Sequence, residues 1–218
     1  MKHLRFYFDV ISPYACLAFE RLPRVLDGLS YSVDYHPVLF AGLLSHWGQK
    51  GPAEIEPKRA WTFRHVHWQA HRDGLAMKTP AQHPFNPLVL LRLTLACAPE
   101  GMTPSRHVCE QVFRHVWQDG LDANDPQRLA ELAQRLSPRA DPNSVAGKQA
   151  LKDSTAQAIG KGVFGVPTIE LDDRLFWGVD SLEMVSASLR GDAWFDGPSW
   201  ADAAVAPPGV QRNAPGNP

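Results

Sequence analysis

The chain has 218 residues and a formal charge of −1, from 22 Lys plus Arg against 23 Asp plus Glu, with no block of like charge. This excludes the basic surface that nucleic acid or an acidic membrane requires. No uninterrupted apolar stretch approaches the roughly 20 residues of a membrane span, and the N-terminal apolar run breaks at Asp9, too soon for a secretion signal. The length allows a substantial core without disulfides. Cys16, Cys97 and Cys109 form no Cys-x-x-Cys pair and leave an odd count, which suits a reducing compartment, so a cytoplasmic location is expected and the three thiols read as small core residues.

Residues 3–10 form a short apolar run with aromatics, a buried-strand pattern, and "DVISPYA" (9–15) follows. Ser12 can accept hydrogen bonds from the free N–H groups of a helix's first turn, and Pro13 fits the first helical position. Tyr14, Leu17, Ala18, Leu22 and Val25 recur at helical spacing. Ser12 is therefore predicted on a strand-to-helix corner, its hydroxyl at a helix N-terminus where backbone donors and the macrodipole favour an anion. Residues 31–37 alternate as a second strand, with Tyr31, Val33 and Tyr35 on one side, completing β-α-β.

The next section changes character, with helices predicted over 57–72, 86–98, 104–118, 126–136 and 143–159. The clearest has Asp125 as cap, Pro126 opening, and Leu129, Leu132, Ala133 and Leu136 as one apolar stripe. "GVFGVPTIELDDRLFWGVD" (162–180) then reads as a strand over 166–171, a tight turn at Asp172-Asp173 and a hairpin partner over 174–178, with a closing helix over 181–189. Beyond Gly191 the chain is rich in Pro, Gly and Ala, and an irregular tail is expected.

β-α-β at the start and β-β-α at the end make an α/β, thioredoxin-like fold with a large α-helical insertion. The expected division is a discontinuous domain of 1–45 and 160–195, an inserted helical domain of 46–159, and a tail of 196–218. "FYFDVISPYACLAFERL" (6–22), "GQKGPAEIEPKR" (48–59), "HPFNP" (83–87) and "GVFGVPTIELDDRLFWGVDSLEMV" (162–185), in this order and separation, resemble the kappa-class glutathione transferases and bacterial 2-hydroxychromene-2-carboxylate isomerases, relatives of DsbA.

In thiol-disulfide relatives the corner carries Cys-x-x-Cys, with the first thiolate stabilised by the helix N-terminus. Here the two positions are Ser12 and Ala15, which excludes disulfide exchange at that corner. The resemblance implies that glutathione is the cofactor and brings the sulfur, with the Ser12 hydroxyl as the catalytic donor to its thiolate. It implies a cis peptide before Pro167 and pairing of the Val166 backbone with the cysteinyl part of glutathione. Lys58 is expected to hold a carboxylate and Asp180 to meet the γ-glutamyl ammonium. Two departures from the family pattern stand at this cofactor site. Gly48-Gln49 replaces Gly-Asn, leaving Gln49 to supply an amide, and Asp180-Ser181 replaces Asp-Arg, leaving Ser181 to donate through its hydroxyl or backbone. Pro13, Tyr14 and Asn86 are the expected substrate contacts.

His67 and His71 share a helix face. A zincin helix needs Glu after its first His, however, and Trp68 stands there with no third ligand identifiable, so no metal is expected. Trp61, Phe63 and Trp68 are expected to pack the bundle or wall an aromatic substrate, packing being favoured for any one of them. The leading reading is a glutathione-dependent isomerase of a small aromatic substrate of the 2-hydroxychromene-2-carboxylate type, with a homodimer left open. The alternatives are a kappa-like glutathione transferase or peroxidase and, in another class, a non-catalytic thioredoxin-like binding module.

Overall fold

The computed structural model describes residues 1–205, and the remainder of the expected tail, 206–218, lies outside the described residues. Four strands make one mixed sheet in the order β2-β1-β3-β4: β1 (Lys2–Phe8), β2 (Tyr31–Pro37), β3 (Thr168–Leu171) and β4 (Arg174–Trp177). β1 runs parallel to β2 with Phe6 opposite Tyr35, and antiparallel to β3 with Phe6 opposite Ile169. β3 and β4 form the predicted hairpin, with Asp172 and Asp173 both at positive φ, the conformation of a two-residue turn that matches strand twist.

β1 is central, so both of its faces need cover. Leu4, Phe6 and Phe8 point into the main core, and Tyr7 points into a smaller cluster with Val38, Leu43, Ala158 and Val163. The main core is supplied by α1 (Pro13–Val25) through Leu17, Phe19 and Leu22, and by α8 (Leu182–Leu189) through Leu182 and Val185. α2 (Phe40–His46) and α7 (Val145–Gly160) cover the other face through Leu43 and Ala158.

Between the two parts of the sheet run α3 (Glu56–Asp73), α4 (Leu88–Ala96), α5 (Arg106–Trp117) and α6 (Pro126–Leu136), ahead of α7. These helices share the core of the sheet. Phe113 of α5 lies 5.2 Å from Phe8 and 5.0 Å from Phe19, ring centre to ring centre, and is fully buried. Each such buried aromatic removes enough apolar area from water to contribute about 1.5–3 kcal/mol, so the helical section is welded to the sheet by burial.

The structure departs from the sequence reading at element ends. β1 stops at Phe8 because Asp9 begins the turn into α1, and β3 starts at Thr168 because Pro167 before it has no N–H to give to the ladder. Two helices were not anticipated: α2, and α9 (Pro198–Ala203), which lies within the segment expected to be irregular. Trp200 of α9 packs 5.7 Å from Phe176, and Phe195 beside it is buried, so apolar contact orders this stretch. Among the described residues no helix is long and apolar enough to cross a membrane.

Candidate active site

The β1–α1 turn is fixed by bonds to its consecutive carbonyls. Ser12 N–H donates to Asp9 O at 3.0 Å, Trp117 Nε1–H of α5 to Val10 O at 2.9 Å, and His83 Nε2–H to Ile11 O at 2.9 Å. The Asp9 side chain is fully buried, and its two oxygens accept from Ile11 N–H at 3.0 Å and Phe40 N–H at 2.9 Å. Burial pushes its pKa up to about 7, while the two backbone donors act in the opposite direction. Asp9, His83 and Trp117 are the residues of this corner that sequence reasoning missed. The signal available for His83 was its place in the proline-flanked "HPFNP" loop, in which the His83–Pro84 bond is cis.

On that turn Ser12 caps α1 as expected, its Oγ accepting from Ala15 N–H at 3.2 Å. The hydroxyl lies 3.3 Å from Val166 O and donates to it, so the corner and the cis-Pro loop meet at Ser12. Among the described residues no group pairs with the Val166 N–H. Gly178 N–H donates to Pro167 O at 2.9 Å, which ties the cis-Pro loop to the turn carrying Asp180. Gly178 has φ 95°, and a Cβ there would collide with Asp180 Oδ1, so only glycine lets that carboxylate fold back over the turn. Ser12, Pro13, Tyr14, Val166, Pro167 and Asp180 are thereby gathered around the N-terminus of α1.

The other expected residues stand apart from this cluster or are engaged within the chain. Ser181 is buried, and both its backbone N–H (3.3 Å) and its hydroxyl (2.8 Å) donate to Gly178 O, in the turn that carries Asp180. Asn86 Oδ1 accepts from Leu88 N–H at 3.1 Å at the start of α4. Gln49 lies exposed on the loop before α3, and Lys58 is exposed on the first turn of α3, with no salt bridge among the described residues.

The three thiols are buried, and desolvation pushes all of their pKa values up, so they remain neutral. A cavity of about 310 Å³ opens further down α1, with Cys16, Leu75, Met77, Phe113 and Trp117 among its walls. Ser12 is not part of it. His67 Nε2 pairs with Thr79 Oγ1 at 2.7 Å, and among the described residues no three His, Cys, Asp or Glu side chains gather as metal ligands. Trp61 and Trp68 are 64% and 56% exposed, against the expectation that such residues pack the bundle, whereas Phe63 does pack, edge to face on His83 at 5.0 Å.

Known proteins give this geometry its context. The chain is 26% identical over 195 residues to a 2-hydroxychromene-2-carboxylate isomerase of Sphingobium xenophagum, covering 86% of this chain and 98% of that one. It is 25% identical over 208 residues to glutathione S-transferase kappa 1 of Rattus norvegicus, covering 88% and 92%. In structure it superposes on a 2-hydroxychromene-2-carboxylate isomerase with a TM-score of 0.76 over 92% of this chain and 98% of the other, at 23% identity. The DSBA-like thioredoxin domain matches residues 3–190, from the first strand through the last helix of the sheet, and the chain belongs to that family.

Proposed function

We propose that this protein is a glutathione-dependent isomerase of a 2-hydroxychromene-2-carboxylate-like aromatic substrate, with Ser12 stabilising the glutathione thiolate. The observation that carries the reading is the Ser12 hydroxyl at the N-terminus of α1, 3.3 Å from the carbonyl before cis-Pro167, in a chain whose own thiols are buried. A site built for sulfur but without a reactive sulfur calls for one that arrives with a ligand. The residues present fit a γ-glutamyl tripeptide. The unpaired Val166 N–H and the Val166 carbonyl offer an edge for a short added strand. Lys58 and Asp180 offer charges of opposite sign for a carboxylate and the ammonium, and Gln49 offers an amide.

Bound glutathione would supply a thiolate that adds reversibly to the conjugated substrate, frees a bond to rotate and leaves again. Ser12 would turn its hydroxyl proton from Val166 O to that sulfur, and the α1 N-terminus would favour the anion. Pro13 and Tyr14 would border the substrate on one side and the Asn86 loop on another. The similarity to the rat kappa-class enzyme favours a second reading, in which the same thiolate meets a different electrophile.

Ser12→Ala tests the proposal. Loss of a hydrogen bond to a charged sulfur costs about 1.5–3 kcal/mol, so glutathione-dependent turnover should fall roughly ten- to hundredfold. The ultraviolet titration of bound glutathione should show a higher thiol pKa than in the parent. Loss of the cap alone costs about 1 kcal/mol of stability and leaves that titration unmoved. A folded Ser12→Ala protein with unchanged titration and turnover refutes the role of Ser12. Conjugation of glutathione without isomerisation selects the transferase reading.

A further inference from the structure

Tyr14 is linked into α3 by a hydrogen-bonded line that the reading above leaves unused. Its Oη lies 2.9 Å from His65 Nδ1, and His65 Nε2 lies 2.8 Å from Nε2 of Gln69, a side chain only 5% exposed. In the orientation Gln69 takes here its amide nitrogen donates to His65 Nε2, and an imidazole that accepts at Nε2 carries its proton on Nδ1. That proton is donated to Tyr14 Oη. The hydroxyl proton of Tyr14 is thereby turned away from His65 and left for another acceptor.

The imidazole is held in this orientation. Trp61 and Trp68 lie nearly parallel to it, with ring centres 6.0 and 6.4 Å away and planes inclined by 18° and 14°. The Arg72 guanidinium lies 5.4 Å from the centre of the Trp68 ring. Trp61, His65, Trp68 and Arg72 recur along one face of α3 at helical spacing. The exposure of both tryptophans means that core packing does not account for this stack. Burial pushes the Tyr14 pKa up, with the nearby Thr62 hydroxyl acting against it and the charge of Asp180 adding to it, so the phenol keeps its proton at neutral pH.

We propose that His65 is a positioning residue that fixes Tyr14 as a hydrogen-bond donor to the carbonyl or carboxylate oxygen of an electrophilic aromatic substrate at the N-terminus of α1. This rests on the isomerase reading above. No proton is transferred: the substrate oxygen gains charge as the conjugated system is attacked, Tyr14 O–H bonds to it, and the charge returns when the nucleophile leaves. A donor that itself receives a hydrogen bond is polarised, which is the contribution of His65 Nδ1–H.

Three variants and one spectrum test this. The ¹⁵N shifts of the His65 ring should report the Nδ1–H tautomer in the full-length parent and its reversal in Gln69→Glu, where a carboxylate accepts from Nε2–H and Nδ1 turns acceptor toward Tyr14. Turnover of 2-hydroxychromene-2-carboxylate with glutathione should then fall roughly three- to tenfold in kcat, the size of one neutral hydrogen bond, with KM for glutathione unchanged. His65→Phe, which keeps a planar ring in the stack, should show the same loss. His65→Asn, which keeps a donor near Nδ1, should recover most of it. An Nε2–H tautomer in the parent overturns the proposal, as does an unchanged kcat in both Gln69→Glu and His65→Phe. If the parent turns over none of this substrate, the isomerase reading fails by itself, and the tautomer in parent and Gln69→Glu still decides for or against the role of His65.

Discussion

At the corner, the turn from Asp9 to Ser12 spends its polar groups inside the chain: Asp9 on two backbone N–H groups, Val10 on Trp117, Ile11 on His83, and Ser12 on Ala15 and Val166. Gln49, Lys58 and Asp180, the side chains proposed to bind the ends of a peptide ligand, are all exposed, and among the described residues Lys58 and Asp180 have no salt bridge. The corner is therefore held by folding energy and should be rigid before a ligand arrives. The rim gains its partners only from the ligand. Substitutions in the first region should register in stability, and those in the second in affinity.

Asp9 is where the separation should be largest. Asp9→Ala leaves the N–H groups of Ile11 and Phe40 buried without an acceptor, and urea unfolding should show a loss of about 2–4 kcal/mol. A loss under about 1 kcal/mol would mean that water replaces the carboxylate and that the corner is not held from within. The same group gives a pH signature. Its pKa is raised from 3.8 to about 7 on folding, so between these values the folded chain holds a proton that the unfolded chain has released. The part of its stabilisation that comes from the raised pKa is full below about pH 4, falls by about 1.4 kcal/mol per pH unit as pH rises, and is gone above about 7, so the loss in Asp9→Ala is to be measured near pH 5.

His36, His83 and His115 have pKa values lowered by burial and act in the opposite direction below about pH 6.5, since their folded forms resist protonation. The difference between the parent and Asp9→Asn isolates Asp9. The advantage of the parent should shrink as pH rises from 5 to 7, and a difference independent of pH contradicts the raised pKa.

Trp117→Phe is a smaller perturbation of the same region. It keeps most of the buried ring and removes the Nε1–H donor to Val10 O, leaving that carbonyl unpaired 2 residues before Ser12. A loss of about 1–2 kcal/mol in unfolding free energy is expected. Turnover should fall with it, because the turn that aims the Ser12 hydroxyl is loosened. Equal stability with lower turnover would move Trp117 from the corner to the substrate.

The same contrast explains what could be read from the sequence. β2 was predicted at 31–37 and α6 at 126–136, because alternation and an Asp-Pro start are local signals. The Ser12 cap of α1 was legible for the same reason, from its own Ser-Pro start, whereas the cis bond before Pro167 was expected only from the family resemblance. α2 was not legible because its start is capped from afar: Phe40 N–H is taken by Asp9, and Leu39 N–H by Thr155 Oγ1 at 3.0 Å, while Leu39 itself offers no side-chain oxygen. Trp117 and His83 bond carbonyls 107 and 72 residues away, so no window of sequence contains either pair. The bonds from Ser181 to Gly178 O were not legible because their acceptor is a backbone group with no mark in the sequence.

The smallest effect on stability is expected at the rim. Lys58 is exposed on the first turn of α3, and among the described residues it makes no salt bridge, so Lys58→Ala should leave the unfolding free energy within about 0.5 kcal/mol of the parent. Its role in the proposed site is to meet a carboxylate of glutathione, a pairing near the surface whose strength is reduced by water and salt. Calorimetric titration with glutathione should show affinity reduced roughly three- to fivefold at low salt, as for an exposed ion pair of up to about 1 kcal/mol, and the deficit should narrow as salt screens the parent's contact. Lys58→Gln should match Lys58→Ala if charge is what counts. Glutathione affinity equal to the parent's at low salt would remove Lys58 from the site, leaving Val166, Gln49 and Asp180 to hold the ligand. A large loss of stability would break the division between corner and rim, because it would show that the first turn of α3 is fastened by a group now assigned to the ligand.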